Sequence, residues 1–188
     1  MKRTIKKIII NIMSIFKIKN VIVFESNADY SDNSRAFYEY LIREKYNEKY
    51  KIYWFVNDSK KFRERECKNV RFITMWHNTT KKTFIQWIKY FWIVKNAKYL
   101  ISSNRVLHRL NKKTVTININ HGTPLKRVKD LKIVPKDIDM ALVGSDYCID
   151  MMSYQLNLKK EQMICVGNPR NDVLFRNTNT KEKLKEFN

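Results

Sequence analysis

The chain has 188 residues, of which 44% are hydrophobic, so it is long enough to bury one core and to form one domain with appendages. Its 38 basic and 18 acidic residues give a formal net charge of +20, which predicts an anionic partner: nucleic acid, a membrane surface or a phosphate-rich substrate. The three cysteines are far apart and the three histidines show no metal-ligand spacing. These features argue against a disulfide framework and a structural zinc site, and we expect reduced thiols in a cytoplasmic protein.

Residues 1–19 are predicted to form a basic amphipathic helix. Isoleucines such as Ile5, Ile8 and Ile12 recur at helical spacing, and the run is too short and too polar to span a bilayer. The basic residues around them include Lys2, Arg3, Lys6 and Lys7. We expect this helix to lie on an anionic membrane leaflet; packing on the chain's own domain is the alternative.

Short apolar runs alternate with helical patterns along the rest of the chain. This alternation predicts an α/β, Rossmann-like fold, with a parallel sheet and helices on both faces, over residues 20–175. The predicted strands are 21–24, 51–56, 70–74, 98–102, 114–119, 139–143 and 163–166. A polar loop at 29–34 is predicted to precede a helix at 35–46; further helices are expected after the cap residues 57–59, at 79–95, and at 147–156 with Ser145 as its cap.

The helix predicted at 79–95 carries an aromatic stripe. Residues such as Phe84, Trp87, Phe91 and Trp92 recur every three or four positions, which is more often typical of a buried face than of a binding surface. Flanking lysines leave a second membrane-facing patch as the alternative.

All three glycines, Gly122, Gly144 and Gly167, directly follow predicted strands. Parallel sheets bind ligands beyond the carboxyl ends of their strands, so this pattern predicts the location of a site. Tight turns in any α/β protein would also place glycine there, and the pattern does not name a ligand.

The first glycine lies in NINHGTPLKRVKD, residues 118–130. Thr123 suits a helix N-cap and Pro124 the first helical position, so a helix start is predicted that would favour a phosphate or carboxylate. His121 would stand beside this anion site, where an imidazole can accept a proton from a reacting hydroxyl. A purely structural, hydrogen-bonding histidine is the alternative.

The third glycine lies in a block of the same build, CVGNPRNDVLF, residues 165–175. Asn168 is the expected cap and Pro169 the first helical residue. Arg170 suits a phosphate because its planar fork donates two parallel hydrogen bonds. Asp172 is expected to hold Arg170 or a hydroxyl, and a turn-fixing pair of Arg170 with Asp172 is an equal alternative.

Together, ESNADYSDNSRAFYEYL (residues 25–41), HGTPLK (121–126) and GNPRNDVLF (167–175) resemble, in order and spacing, the amino-terminal half of the CDP-glycerol glycerophosphotransferases. The resemblance implies the first Rossmann-like domain of a two-domain GT-B fold. It also implies teichoic acid synthesis at the inner face of the membrane, with a lipid-linked polyol-phosphate acceptor. The donor would be CDP-glycerol or CDP-ribitol, which the sequence does not distinguish, and neither cofactor nor metal is expected.

The resemblance also implies roles for particular residues. His121 matches the essential histidine of the family and would be the general base. Asp32 and Asn33 are expected in an acceptor-binding loop, and the remaining substrate and phosphate contacts are expected at Gly122, Thr123, Lys126, Ser145, Asn168, Arg170 and Asp172.

The sequence departs from the family in two places. Asn120 stands before the histidine where the family usually has tryptophan. The chain also ends soon after the second block, with residues 176–188 expected to lead towards a nucleotide-binding domain, so we expect this chain alone to be inactive.

Two other functions stay open: a non-catalytic, membrane-associated module of the same fold and, ranked last, a nucleic-acid binder. No RRM, KH or helix-turn-helix signature supports the latter.

Overall fold

The computed structural model describes Ile8, Ile12 and residues 17–75, 84–103, 107–122 and 138–175. Several predictions lie outside this described part of the chain. They are the amphipathic helix apart from its two exposed isoleucines and residues 17–19, the helix start at Thr123 and Pro124 with Lys126, and residues 176–188. The membrane residues predicted there are Lys2, Arg3, Lys6 and Lys7. Residues 17–19 are described and are not helical, so the predicted end of the amphipathic helix at residue 19 was wrong.

The described residues form a seven-stranded sheet in the order β3-β2-β1-β4-β5-β6-β7, and every neighbouring pair is parallel. The strands are β1 Val21–Glu25, β2 Lys51–Val56, β3 Val70–Thr74, β4 Tyr99–Ser102, β5 Val115–Asn118, β6 Met140–Val143 and β7 Met163–Cys165. This is the Rossmann-like architecture predicted from the sequence, and each observed strand boundary lies within one residue of the predicted one.

Three α-helices connect these strands in the described ranges: α1 Asp32–Arg43, α2 Phe84–Asn96 and α3 Ile149–Leu156. Four short 3-10 helices accompany them, at Tyr46–Glu48, Ser59–Arg65, Asp146–Cys148 and Lys160–Gln162, and a further one, Pro169–Leu174, follows β7.

The core has two faces because side chains alternate along each strand. Ile22 and Phe24 of β1 join the cluster that α1 covers, while Val21 and Val23 join the cluster that α2 covers. The α1 cluster includes five buried aromatic residues, and one of them, Trp54, stacks on Phe24 at 5.2 Å between ring centroids. A third cluster packs α3 against β6 and β7.

The predicted start of the first helix was wrong. Helix α1 begins at Asp32, not Arg35, so Asp32 and Asn33 belong to its first turn and not to a preceding loop. Asn33 and Ser34 are fully buried and hydrogen-bonded to distant loops. These tertiary contacts outweigh the weak helix propensity of such residues, from which the loop was predicted.

The burial predicted for the aromatic stripe of α2 was wrong for most of its residues. Ile93 and Val94 face the core, but Ile85, Trp87, Ile88 and Trp92 are exposed by 77%, 42%, 45% and 53%. Helix α2 is apolar on more than one side, and its own sheet covers only one of them.

Candidate functional site

Three segments meet beyond the carboxyl ends of the strands: the first turn of α1, the turn after β5, and the 3-10 helix after β7. The Arg170 guanidinium of the third segment donates to the Asp32 carboxylate of the first, with Nη1 and Oδ1 2.7 Å apart. A Cβ added to Gly122 of the second segment would lie 2.9 Å from Arg170 Nη2. Glycine at position 122 therefore leaves the space that the guanidinium occupies.

The turn after β5 is built by asparagines. The side chain of Asn118 accepts a hydrogen bond from the Asn120 N–H at 2.9 Å, and the side chain of Asn120 accepts one from the His121 N–H at 2.8 Å. Asn120 has φ of 53°, a left-handed conformation that asparagine tolerates better than most residues. Its side-chain amide also lies 3.5 Å from the Met152 sulfur of α3, so Asn120 fills the position before the histidine with polar contacts.

His121 is exposed at this turn, three residues after the end of β5. Its backbone is held by Asn120, which leaves the imidazole facing outward on a fixed support. A ring in this position is accessible to a hydroxyl that enters from solvent.

The block after β7 differs in detail from its prediction. Pro169 does begin a helix, a 3-10 helix, but Asn168 makes no side-chain capping bond; its Oδ1 accepts from the Asn33 side chain at 3.3 Å. Arg170 pairs with Asp32 of α1 and not with Asp172, which is exposed. Sequence proximity suggested the wrong acid because the true partner is 138 positions away.

The capping role predicted for Ser145 was also wrong. A 3-10 helix, Asp146–Cys148, intervenes before α3, and the Ser145 hydroxyl lies 3.3 Å from the Cys148 sulfur without capping a backbone N–H. Within the described residues, no hydrogen bond joins Ser145 to the His121 turn. Nearby, a hydrogen bond to Asp146 raises the pKa of the Cys165 thiol above its usual value.

A groove of about 510 Å³ runs between α1 and the 3-10 helix after β7. Two ion pairs lie along it: Arg170 with Asp32, and Arg35 with Glu39, also at 2.7 Å. The full lining is Ser31, Asp32, Arg35, Ala36, Glu39, Pro169, Arg170 and Val173. Guanidinium and carboxylate groups alternate here, so the groove offers donors to phosphate oxygens and acceptors to hydroxyls.

Arg35 and Glu39 line the groove but were not predicted as site residues from the sequence. Their i,i+4 spacing on a helix was the available signal, but such pairs are usually only surface contacts. Beside them, the Arg35 and Arg65 guanidinium carbons lie 5.1 Å and 4.9 Å from the centroid of the Tyr30 ring. Burial of Tyr30, with a further contribution from Glu39, raises the pKa of its hydroxyl.

Unusual backbone conformations concentrate at this edge. Tyr30, Asp32, Asn120, Gly122 and Gly167 all have positive φ, between 51° and 141°. Such conformations are unfavourable for residues with a Cβ and persist where surrounding contacts enforce them, which is typical of functional sites.

The described residues contain no group of three or more His, Cys, Asp or Glu side chains arranged to hold a metal ion. They also contain no helix with the length and apolar character that crossing a bilayer requires.

Comparison with solved structures supports this architecture. The wall teichoic acid polymerase TagF matches with a TM-score of 0.65 at 25% identity, over 90% of this chain and 43% of that one. A TagF variant soaked with CDPG matches with a TM-score of 0.68, over 90% of this chain and 44% of that one. TagF has the GT-B glycosyltransferase fold, so the sheet described here corresponds to part of such a fold.

Sequence relatives agree with the structural match. A teichoic acid poly(glycerol phosphate) polymerase of Staphylococcus epidermidis is 30% identical over 88% of this chain and 24% of its own length. A teichoic acid glycerol-phosphate transferase of Staphylococcus aureus is 26% identical over 97% of this chain and 51% of its own length. The chain thus spans about half or less of the length of these curated relatives.

The family model for CDP-glycerol:poly(glycerophosphate) glycerophosphotransferase matches residues 8–187, nearly the whole chain. The predicted family resemblance is therefore confirmed, and the chain belongs to this family of teichoic acid polyol-phosphate transferases and polymerases.

Proposed function

We propose that this chain forms the acceptor-binding half of a teichoic acid polyol-phosphate transferase and supplies its general base. The observation that carries the proposal is the convergence of three family segments at one sheet edge, through Arg170, Asp32 and Gly122. An exposed imidazole, a guanidinium and a groove rich in hydrogen-bonding groups then lie together, as a reaction between an alcohol and a phosphate requires.

In this proposal His121 takes the proton of the acceptor hydroxyl as its oxygen attacks the β-phosphorus of the CDP-polyol. The new P–O bond forms while the bond from that phosphorus to the bridging oxygen breaks, and CMP leaves with the bridging oxygen. A positioned base typically accelerates such a step by about 10² to 10⁴. Backbone donors at Gly122 and Thr123, with Lys126, would stabilise the charge on the transferring phosphate.

The groove beside α1 would hold the polyol-phosphate chain of the acceptor. Arg170 and Arg35 would donate to its phosphates, while Asp32 and Glu39 would accept from its hydroxyls. The polar residues at the ends of the groove and of neighbouring strands, Ser145, Asn168 and Asp172, are proposed as further substrate contacts.

We also propose that the protein works on the cytoplasmic face of the cell membrane. The supporting features are the charge of +20 and the exposed side of α2, where the Lys95 and Lys19 ammonium groups lie 4.7 Å and 5.3 Å from the centre of the Trp92 ring. An exposed tryptophan flanked by cations suits the boundary between lipid headgroups and acyl chains. A lipid-linked acceptor would be met at the same surface.

The CDP-polyol, glycerol or ribitol, is proposed to bind to a second domain of the GT-B arrangement. The test is CMP release from CDP-glycerol with a lipid-linked acceptor, measured for the 188-residue chain and for the longest product of its gene. His121→Ala should lower CMP release by about 10² or more, as for loss of a general base. His108→Ala, which changes another exposed histidine, is the matched control and should leave the rate unchanged.

Full CMP release by the His121→Ala variant would remove the mechanism. Release by the 188-residue chain alone would show instead that no second domain is needed.

A further inference from the structure

The fully buried side chain of Asn33 makes hydrogen bonds to two loops: the turn after β5, which carries His121, and the 3-10 helix after β7, which carries Arg170. Its Nδ2 group donates to the carbonyl oxygens of Ile119 and Asn120, at 3.2 Å and 3.1 Å, and to Asn168 Oδ1 at 3.3 Å. Its Oδ1 accepts the backbone N–H of Arg170 at 3.1 Å. A single amide thus bonds to the turn after β5 and to the 3-10 helix after β7.

The orientation of this amide is determined by its partners. Backbone carbonyls only accept hydrogen bonds and a backbone N–H only donates, so Nδ2 must face Ile119 and Asn120 while Oδ1 faces Arg170. Aspartate keeps the acceptor but turns an oxygen towards two carbonyls, and alanine removes both functions. The site therefore requires an amide, and not merely a polar residue of this size.

On the β5 side, Asn33 fixes the peptide that carries His121. The carbonyl of that peptide, contributed by Asn120, accepts from Asn33, and its N–H, contributed by His121, donates to Asn120 Oδ1. Both polar groups of one peptide plane are thus held, at a residue with φ of 53°. The direction in which the His121 side chain leaves the backbone depends on this plane.

On the β7 side, Asn33 and its neighbour Asp32 hold Arg170 at both ends. Asn33 accepts the backbone N–H and Asp32 accepts the guanidinium, which lies against Gly122. The proposed base and the proposed phosphate-binding arginine are therefore supported by adjacent residues in the first turn of α1.

We propose that Asn33 is a positioning residue that makes the two loops one unit and thereby fixes His121 relative to Arg170. It does not touch the reacting atoms; it acts through the backbone of the loops that carry them. The effect of Asn33 on catalysis rests on the proposed function, whereas its coupling of the two loops does not.

The coupling is tested by amide hydrogen exchange, followed by NMR, on the 188-residue chain. Asn33→Ala should accelerate exchange of the His121 and Arg170 amides together, by about tenfold or more, because buried hydrogen bonds are lost in both loops. Asn33→Asp should accelerate exchange at His121 more than at Arg170, since an acceptor for the Arg170 N–H remains.

Ser34→Ala is the matched control. Ser34 is the next residue of the same helical turn and equally buried, but its hydroxyl bonds to the Glu25 carbonyl and to Ser103. Ser34→Ala should not accelerate exchange of the His121 and Arg170 amides more than it accelerates exchange of the amides in the sheet. Acceleration in only one loop with Asn33→Ala, in neither, or equally with Ser34→Ala would overturn the proposal.

A double-mutant cycle of Asn33 and His121 tests the effect on catalysis, in whichever gene product releases CMP. Asn33→Ala should lower kcat by about 10² with a smaller change in KM, as expected for a misplaced catalytic group, and should have little further effect once His121 is alanine. An equal loss with and without His121 would mean a structural role only. If no product releases CMP, the proposed function fails, while the exchange experiment still decides the coupling.

Discussion

Helices α1 and α2 are both rich in aromatic residues, yet the structure uses them in opposite ways. Helix α1 buries Tyr38 and Leu41 and turns its polar first turn towards the candidate site. Helix α2 buries Ile93 and Val94 but leaves Trp87 and Trp92 about half exposed. One helix packs its apolar side against its own domain, and the other keeps an apolar side that the described residues leave exposed.

The difference shows that helical periodicity predicts which residues share a side, but not what covers that side. The aromatic residues of α1 meet other rings from the sheet, including Phe24 and Trp54. In α2, the exposed Trp92 has Lys19 and Lys95 as neighbours, and the exposed Trp87 stacks on Phe91 of the same helix. We therefore propose that the α1 face contributes mainly to the stability of this fold and that the exposed side of α2 contacts the membrane.

The largest expected effect is on the free energy of unfolding. Trp54→Ala removes a fully buried ring at the centre of the aromatic cluster and should destabilise the protein by about 3–5 kcal/mol. Trp92→Ala should change the free energy of unfolding by about 1 kcal/mol or less, because that ring is 53% exposed. Urea unfolding measures both, and similar losses would contradict the proposed division between the helices.

The second effect concerns membrane binding. A Trp87→Ser, Trp92→Ser double variant should bind vesicles containing anionic lipid at least about tenfold more weakly, since each inserted ring contributes roughly 1.5–3 kcal/mol when fully buried. Cosedimentation with such vesicles is the measurement. Tyr46→Ser, a change at a 40% exposed ring beyond α1, is the control and should bind normally.

The smallest effect concerns the two glycine turns beside α1. Gly122→Ala introduces a Cβ at φ of 141° and 2.9 Å from Arg170, so it should lower the unfolding free energy by about 1–3 kcal/mol. Gly167→Ala, at φ of 79° and with open space around it, should lose only roughly 1 kcal/mol from its backbone conformation. Equal losses in urea unfolding would mean that the Arg170 guanidinium moves aside at little cost and is not firmly held beside the His121 turn.

The strands could be predicted closely from sequence because buried parallel strands are continuous apolar runs ended by polar residues or glycine. The start of α1 could not, because Asn33 and Ser34 are typical loop residues, and only partners in distant loops make them helical and buried. The pairing of Arg170 with Asp32 could not be predicted for the same reason. Local spacing indicated Asp172 as the partner, whereas the fold brings the start of α1 beside the 3-10 helix that follows β7.

For the site, too, features encoded locally could be predicted and features that depend on distant contacts could not. The glycines after β5 and β7 correctly indicated the edge where the loops meet, because parallel strands all end there. The groove itself depends on how α1 packs against the 3-10 helix after β7, which no local pattern encodes.

The most direct test compares CMP release with a lipid-linked acceptor in vesicles and with a water-soluble oligo(glycerol phosphate), in the form of the protein that carries donor binding. We expect His121→Ala to lower release by about 10² or more with both acceptors, and the Trp87→Ser, Trp92→Ser variant to lose release only with the acceptor in vesicles. Undiminished release by His121→Ala with the soluble acceptor would contradict the proposed chemistry at the α1 edge. An equal loss with both acceptors in the tryptophan variant would contradict the proposed membrane contact of α2.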